Sequence, residues 1–181
     1  MSSIYFFSGP CGVGKSTLAD AWAKSLVDGG CARQVYVIHG DDFHAGFVET
    51  SERVGACFPG FLYWPDILRF NWECLLSVAG KALARGLDVV IDYVIEDELP
   101  LVRKLAQAHQ AQLYYVVLTA SEACIRERLT QRGNPELIDR ALFLKNKLES
   151  LPFNQGHLFD NSVLDVQAEL SQLDMEAYRF P

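Results

Sequence analysis

The chain has 181 residues, half of them hydrophobic and 22% charged, which suits one globular domain and excludes disordered, collagen-like and coiled-coil chains. No run of about 18 apolar residues occurs, so no transmembrane helix and no membrane partner are expected. Lys and Arg number 16 against 23 Asp and Glu, and the net charge of -7 has the wrong sign for gripping long nucleic acid.

Cys11, Cys31, Cys57, Cys74 and Cys124 are scattered and form no CxxC pair. They fit a reducing cytoplasm better than a disulfide framework or a zinc site. The first residues lack the basic region of a signal peptide, so a cytoplasmic location is expected. Monomer and homodimer both stay open.

Along the chain, Ser3 to Ser8 reads as a fully buried strand ending at Gly9-Pro10. A helix follows from Lys15, with Leu18, Trp22 and Leu26 on one face and Gly29-Gly30 as its stop. Gln34 to His39 is the second strand. Asp66 to Ala84 is a long helix capped by Asp66, with Leu68, Trp72, Leu75, Leu76, Ala79 and Leu83 facing the core and Gly86 beyond its end. Leu87 to Asp92 is the third strand, and a helix runs from about Glu98 to Gln110. Gln112 to Thr119 is the fourth strand, with Ser121 capping the helix after it. Another helix is expected over 135–150, a short fifth strand over Gly156 to Asp160, and a last helix over Val163 to Leu173. Alternating strands and helices imply a parallel sheet covered on both faces.

The strongest motif is Gly9-Pro10-Cys11-Gly12-Val13-Gly14-Lys15-Ser16, followed by Thr17, which matches GxxxxGK[ST]. Its glycines let successive N–H groups turn into a concave nest for phosphate oxygens, and the helix from Lys15 adds its positive end. Lys15 can bridge the β- and γ-phosphates, and the Ser16 hydroxyl can hold Mg²⁺. Asn146-Lys147-Leu148-Glu149 looks like a guanine reader but lies in a helical pattern with Leu142, Leu144 and Leu148. Asp92-Tyr93-Val94-Ile95 lacks the glycine a GTPase carries after its third strand. ATP is therefore the expected nucleotide.

Ligands gather at the carboxyl ends of parallel strands. Strand two ends in Gly40-Asp41-Asp42-Phe43-His44 and strand three in Asp92-Tyr93. Asp92 would hold Mg²⁺ through water or through Ser16. Asp41 or Asp42 could orient an attacking hydroxyl and accept its proton. Arg128 and Arg132 lie four apart on one helix face, with Arg140 on the next helix. Guanidinium groups of this kind clamp phosphate and stack on bases, whereas Arg126 points elsewhere on the helix.

These features, with the closing Phe159-Asp160-Asn161-Ser162, resemble the small-molecule kinases of the nucleoside-monophosphate-kinase-like P-loop group, such as gluconate kinase, shikimate kinase and chloramphenicol phosphotransferase. The resemblance implies a three-layer α/β/α fold with a five-stranded parallel sheet in the order 2-3-1-4-5 and a lid after strand four. It implies that Arg128 packs on adenine, that Arg132 is the lid arginine meeting the phosphates, and that Asp41 is the base or substrate-orienting aspartate. It also places the loop from Asn161 to Leu164 beside the adenine. Two features depart from the family pattern. The lid, at about 128–140, is short, and Ala45-Gly46 stand where gluconate kinases carry a proline.

The resemblance also implies that the acceptor binds in the aromatic excursion of a single domain, at about 43–86. It carries Phe43, Phe47, Phe58, Phe61, Tyr63 and Trp64, with Arg53 or Arg69 available for an anion. The same aromatics could equally form a small satellite core. Trp72 reads as structural by its spacing, and Tyr93 could line the acceptor pocket. The expected activity is phosphoryl transfer from ATP to a hydroxyl of a small molecule. The alternatives are a nucleoside, nucleotide or nucleic-acid 5′-end kinase, and an ATP-binding switch without transfer.

Overall fold

The computed structural model describes residues 1–29, 34–47, 64–162 and 165–181. Arg53, Phe58, Phe61 and Tyr63 of the aromatic excursion lie outside the described residues, as do Gly30, Cys31, Cys57 and Val163-Leu164.

The strands are β1 (Ser3–Ser8), β2 (Val35–His39), β3 (Asp88–Asp92), β4 (Gln112–Thr119), β5 (Leu158–Asp160) and β6 (Arg179–Phe180). The helices are α1 (Lys15–Asp28), α2 (Asp42–Ala45), α3 (Trp64–Leu83), α4 (Leu99–Ala108), α5 (Glu122–Gln131), α6 (Ile138–Ser150) and α7 (Val166–Gln172). β1 to β5 are parallel in the order β2-β3-β1-β4-β5. The order and the five parallel strands match the expectation, and among the described residues a short sixth strand joins them. β6 pairs antiparallel with β4 at Leu113 and Tyr114, on the edge that β5 uses higher up at Val117 to Thr119. Two residues are too few to show a period, so β6 left no pattern to read.

Alternation along the central strands separates two cores. Ile4 and Phe6 of β1, Val89 and Ile91 of β3, and Tyr115 of β4 pack with α3 and α4 on one face. Tyr5, Phe7, Val90, Val116 and Leu118 pack with α1 and α5 on the other. Trp72 lies in the first core, stacked on Phe6 at 6.2 Å, as its spacing indicated. Among the described residues no helix is long and apolar enough to cross a membrane.

Element ends differ where local hydrogen bonding wins. α3 already includes Trp64 and Pro65, so Asp66 sits inside its first turn instead of capping it, and its carboxylate lies 3.9 Å from Arg69. A proline suits that first turn because its missing N–H would have no partner there. β5 starts at Leu158, two residues late, because His157 N–H donates to Asn154 O and keeps Gly156 and His157 in a turn. α7 starts at Val166 because Asp165 caps it, accepting from the Ala168 N–H at 2.9 Å. The expected cap at Ser121 is present, accepting from Cys124 N–H at 3.2 Å.

Candidate active site

Parallel strands carry their loops to one end of the sheet, and the phosphate loop joins β1 to α1 there. Gly14 precedes α1 with φ near 100°, a conformation that a side chain disfavours, and no side chain caps the helix. Among the described residues, no acceptor meets the N–H groups of residues 12–17, and Leu18 N–H makes the first bond of the helix, to Gly14 O. The loop thus offers a row of free donors at a helix start. Lys15 Nζ folds back on Pro10 O at 3.1 Å, while Ser16 and Thr17 are exposed and Cys11 is half-buried.

The β1–β3 register brings Asp92 to this loop. Ser16 Oγ donates to Asp92 Oδ2. Asp92 Oδ1 meets His39 Nδ1 at 2.5 Å, and His39 Nε2 lies 3.4 Å from Asp20. Burial pushes the Asp92 carboxyl above its usual range, partly offset by the hydrogen bonds from Ser16 and His39 and by the charges of His39 and Lys15. Burial lowers the His39 pKa, but the bond and charge of Asp92, with Asp20 and Asp42, outweigh it and leave His39 raised. A hydroxyl and a carboxylate meeting beside a phosphate nest suit Mg²⁺, which takes few protein oxygens and keeps the rest for water and phosphate.

The β2–β3 register pairs His39 with Asp92, and Gly40 N–H donates to Asp92 O at 2.9 Å. Asp41 and Asp42 therefore emerge beside the Ser16–Asp92 pair, both exposed. Among the described residues neither carboxylate has a hydrogen bond or ion pair. Gly40 is required by a close approach: a Cβ there would lie 2.4 Å from the Tyr93 ring.

Tyr93 is buried, so it underlies this corner and leaves little of its ring to a ligand. Its hydroxyl accepts from Asn71 Nδ2 at 3.2 Å, and burial raises its pKa. Asn71, fully buried on α3, also reaches His44 Nδ1 at 2.6 Å, and its own Oδ1 has no partner among the described residues. Trp64, 55% exposed, packs edge-on to His44 at 5.7 Å, and Phe47 does the same to Phe70 at 5.2 Å. Phe43 packs partly buried against the core of this face. Arg69 is 72% exposed.

On the other side of the loop, Arg128 Nη1 donates to Val13 O at 3.2 Å, and its Nη2 to Asn161 O at 3.0 Å. Glu169 is buried nearby; burial raises its carboxyl pKa against the pull of Arg128. Arg132 caps the C-terminus of α5 and is exposed. Arg140 does not turn to the loop as its sequence position suggested. It pairs with Glu96, which also takes Lys147 at 3.0 Å, and lies over Phe143.

Sequence reasoning missed His39, Asn71 and Glu96. Only Asn71 left a signal, a polar residue four before Leu75 on an otherwise apolar stripe.

The sheet order, the free donors of the loop and the Ser16–Asp92 pair define a P-loop nucleotide-binding domain. The chain belongs to the AAA-domain family AAA_33, whose model matches residues 4–146. Solved structures share the fold at low identity. The tunicamycin resistance protein of Deinococcus radiodurans is 19% identical with a TM-score of 0.59, covering 95% of this chain and 93% of that one. The APS kinase CysC of Mycobacterium tuberculosis, in complex with AMPPNP and APS, is 18% identical with a TM-score of 0.64, covering 97% of each chain. A gluconokinase from Sinorhizobium meliloti is 21% identical with a TM-score of 0.53, covering 94% and 90%. The resemblance to small-molecule P-loop kinases is thus borne out in the fold. No curated protein matches the sequence.

Proposed function

We propose that this chain is an ATP-dependent kinase that moves the γ-phosphoryl group to a hydroxyl of a small molecule, such as a sugar acid or a hydroxylated antibiotic. The observation that carries this reading is Asp41, an exposed carboxylate without a partner among the described residues, set beside the Ser16–Asp92 pair by the Gly40–Asp92 bond.

The loop donors and the α1 terminus hold the polyphosphate, and Lys15 leaves Pro10 O for the β- and γ-phosphates. Bound Mg²⁺, held by Ser16 and Asp92, would offset charge on the transferring phosphoryl group. Asp41 orients the acceptor hydroxyl and takes its proton as the new O–P bond forms and the bond to the ADP oxygen breaks. Asp42 stands ready beside it for a second contact to the acceptor. Arg132, exposed where the short lid begins, supplies positive charge to the γ-phosphoryl oxygens, and Arg128 lies by the base. Trp64 and Phe43 border the acceptor side and favour a ring-bearing or amphipathic molecule, and the exposed Arg69 is available for an anionic group. We expect Asp41→Asn to bind Mg·ATP as the wild type does in calorimetry while acceptor-dependent ADP release falls about 10²- to 10⁴-fold. Unchanged turnover would overturn the assignment of Asp41.

A further inference from the structure

Two donors converge on one carbonyl of the phosphate loop. Asn161 Nδ2 donates to Val13 O at 2.6 Å, and Arg128 Nη1 donates to the same oxygen at 3.2 Å. Arg128 Nη1 also reaches Asn161 Oδ1 at 3.2 Å. That set fixes the amide's orientation, because a reversed amide would face oxygen to oxygen at Val13 and NH₂ to guanidinium at Arg128. Asn161 is itself anchored: it is 1% exposed, and its backbone N–H donates to Thr119 O at the end of β4 at 3.0 Å.

The consequence lies across the next peptide bond. In a trans peptide the C=O and N–H point to opposite sides. With Val13 O drawn toward Asn161 and Arg128, the Gly14 N–H is turned away from them. That N–H opens α1 and has no acceptor among the described residues. Closeness adds a second constraint, since a Cβ on Gly14 would come within 3.0 Å of Asn161 Nδ2.

We propose that Asn161, seconded by Arg128, is a positioning residue of the phosphate loop: it locks the Val13–Gly14 peptide so that the Gly14 N–H is presented to a bound phosphate. The resemblance implies only a place beside adenine for Asn161; the geometry gives it a grip on the phosphate nest. The inference rests on the reading of the loop as a nucleotide site.

The test separates phosphate from base. Asn161→Leu keeps the branched four-atom shape and adds no charge, but removes both the donor and the acceptor; Asn161→Ala serves as a second variant should the bulkier leucine fail to fold. Affinities for inorganic tripolyphosphate with Mg²⁺ are measured by calorimetry, and for adenosine by ligand-observed NMR. The expected result is a loss of roughly tenfold for tripolyphosphate with adenosine held within about twofold. A merely structural role would weaken both ligands together, and a purely base-side role would weaken adenosine alone. Either result, or unchanged tripolyphosphate binding, overturns the proposal. A wild-type chain that takes up neither ATP nor tripolyphosphate would overturn the nucleotide reading itself, and the lock with it.

Discussion

The two sides of the candidate site are built differently. On the phosphate side the loop N–H groups are free, but the groups that frame them are held: Ser16 by Asp92, Asp92 by His39, Val13 O by Asn161 and Arg128, and Lys15 by Pro10 O. On the acceptor side the groups that would touch a ligand stand open. Asp41 and Asp42 are exposed, as are Trp64 and Arg69, and only the layer beneath them, Tyr93, Asn71 and His44, is bonded together. A phosphate nest must be preorganised because its donors act through fixed direction. An acceptor site on loops can vary without disturbing the sheet that carries it.

Substitutions can break this contrast. The largest effect is expected at Lys15: Lys15→Ala should cut ADP release by about 10³-fold or more in a coupled assay, with the fold intact by circular dichroism, because transfer depends on charge placed at the phosphates. Asp41→Asn comes next and should spare ATP binding, as set out above. Gly40→Ala probes the layer between the two sides. A methyl 2.4 Å from the Tyr93 ring should cost about 1–3 kcal/mol in denaturant unfolding and raise the acceptor KM, while ATP affinity holds. The smallest effect is expected at Arg69. Its pair with Asp66 is long and exposed, so Arg69→Ala should change stability by less than about 0.5 kcal/mol and act only through the KM of an anionic acceptor. Cys11 reports on the phosphate side without a substitution: ATP should slow its reaction with a thiol reagent, and equal labelling with and without ATP would contradict its place in the nest.

Much of the phosphate side was legible in the sequence because its chemistry is local. The loop from Gly9 to Thr17 is one uninterrupted motif whose spacing has a backbone reason. Asp92 was legible because it ends an apolar run. Strands β1 and β3 were legible for the same reason, each being buried along its whole length. What stayed hidden depends on register and crossing. His39 reaches Asp92 only because β2 and β3 pair with those residues opposite. Asn161 reaches Val13 across 148 residues of sequence, and Glu96 draws Arg140 away from the loop across 44. Spacing on one helix placed Arg128 and Arg132 on a common face, yet could not say that one guanidinium would be tied to the loop backbone and the other left exposed. The strand β6 was invisible because two residues carry no period.

The proposed reaction passes ATP's γ-phosphoryl group to a small-molecule hydroxyl at the open side. Its most direct test is ADP release by the full chain with Mg·ATP across sugars, sugar acids, nucleosides and hydroxylated antibiotics, with ³¹P NMR to follow the phosphorus. One acceptor class should raise ADP release and gain a phosphate ester, and Lys15→Ala should lose both. ADP release indifferent to every acceptor, with all the phosphorus recovered as inorganic phosphate or unreacted ATP, would contradict it.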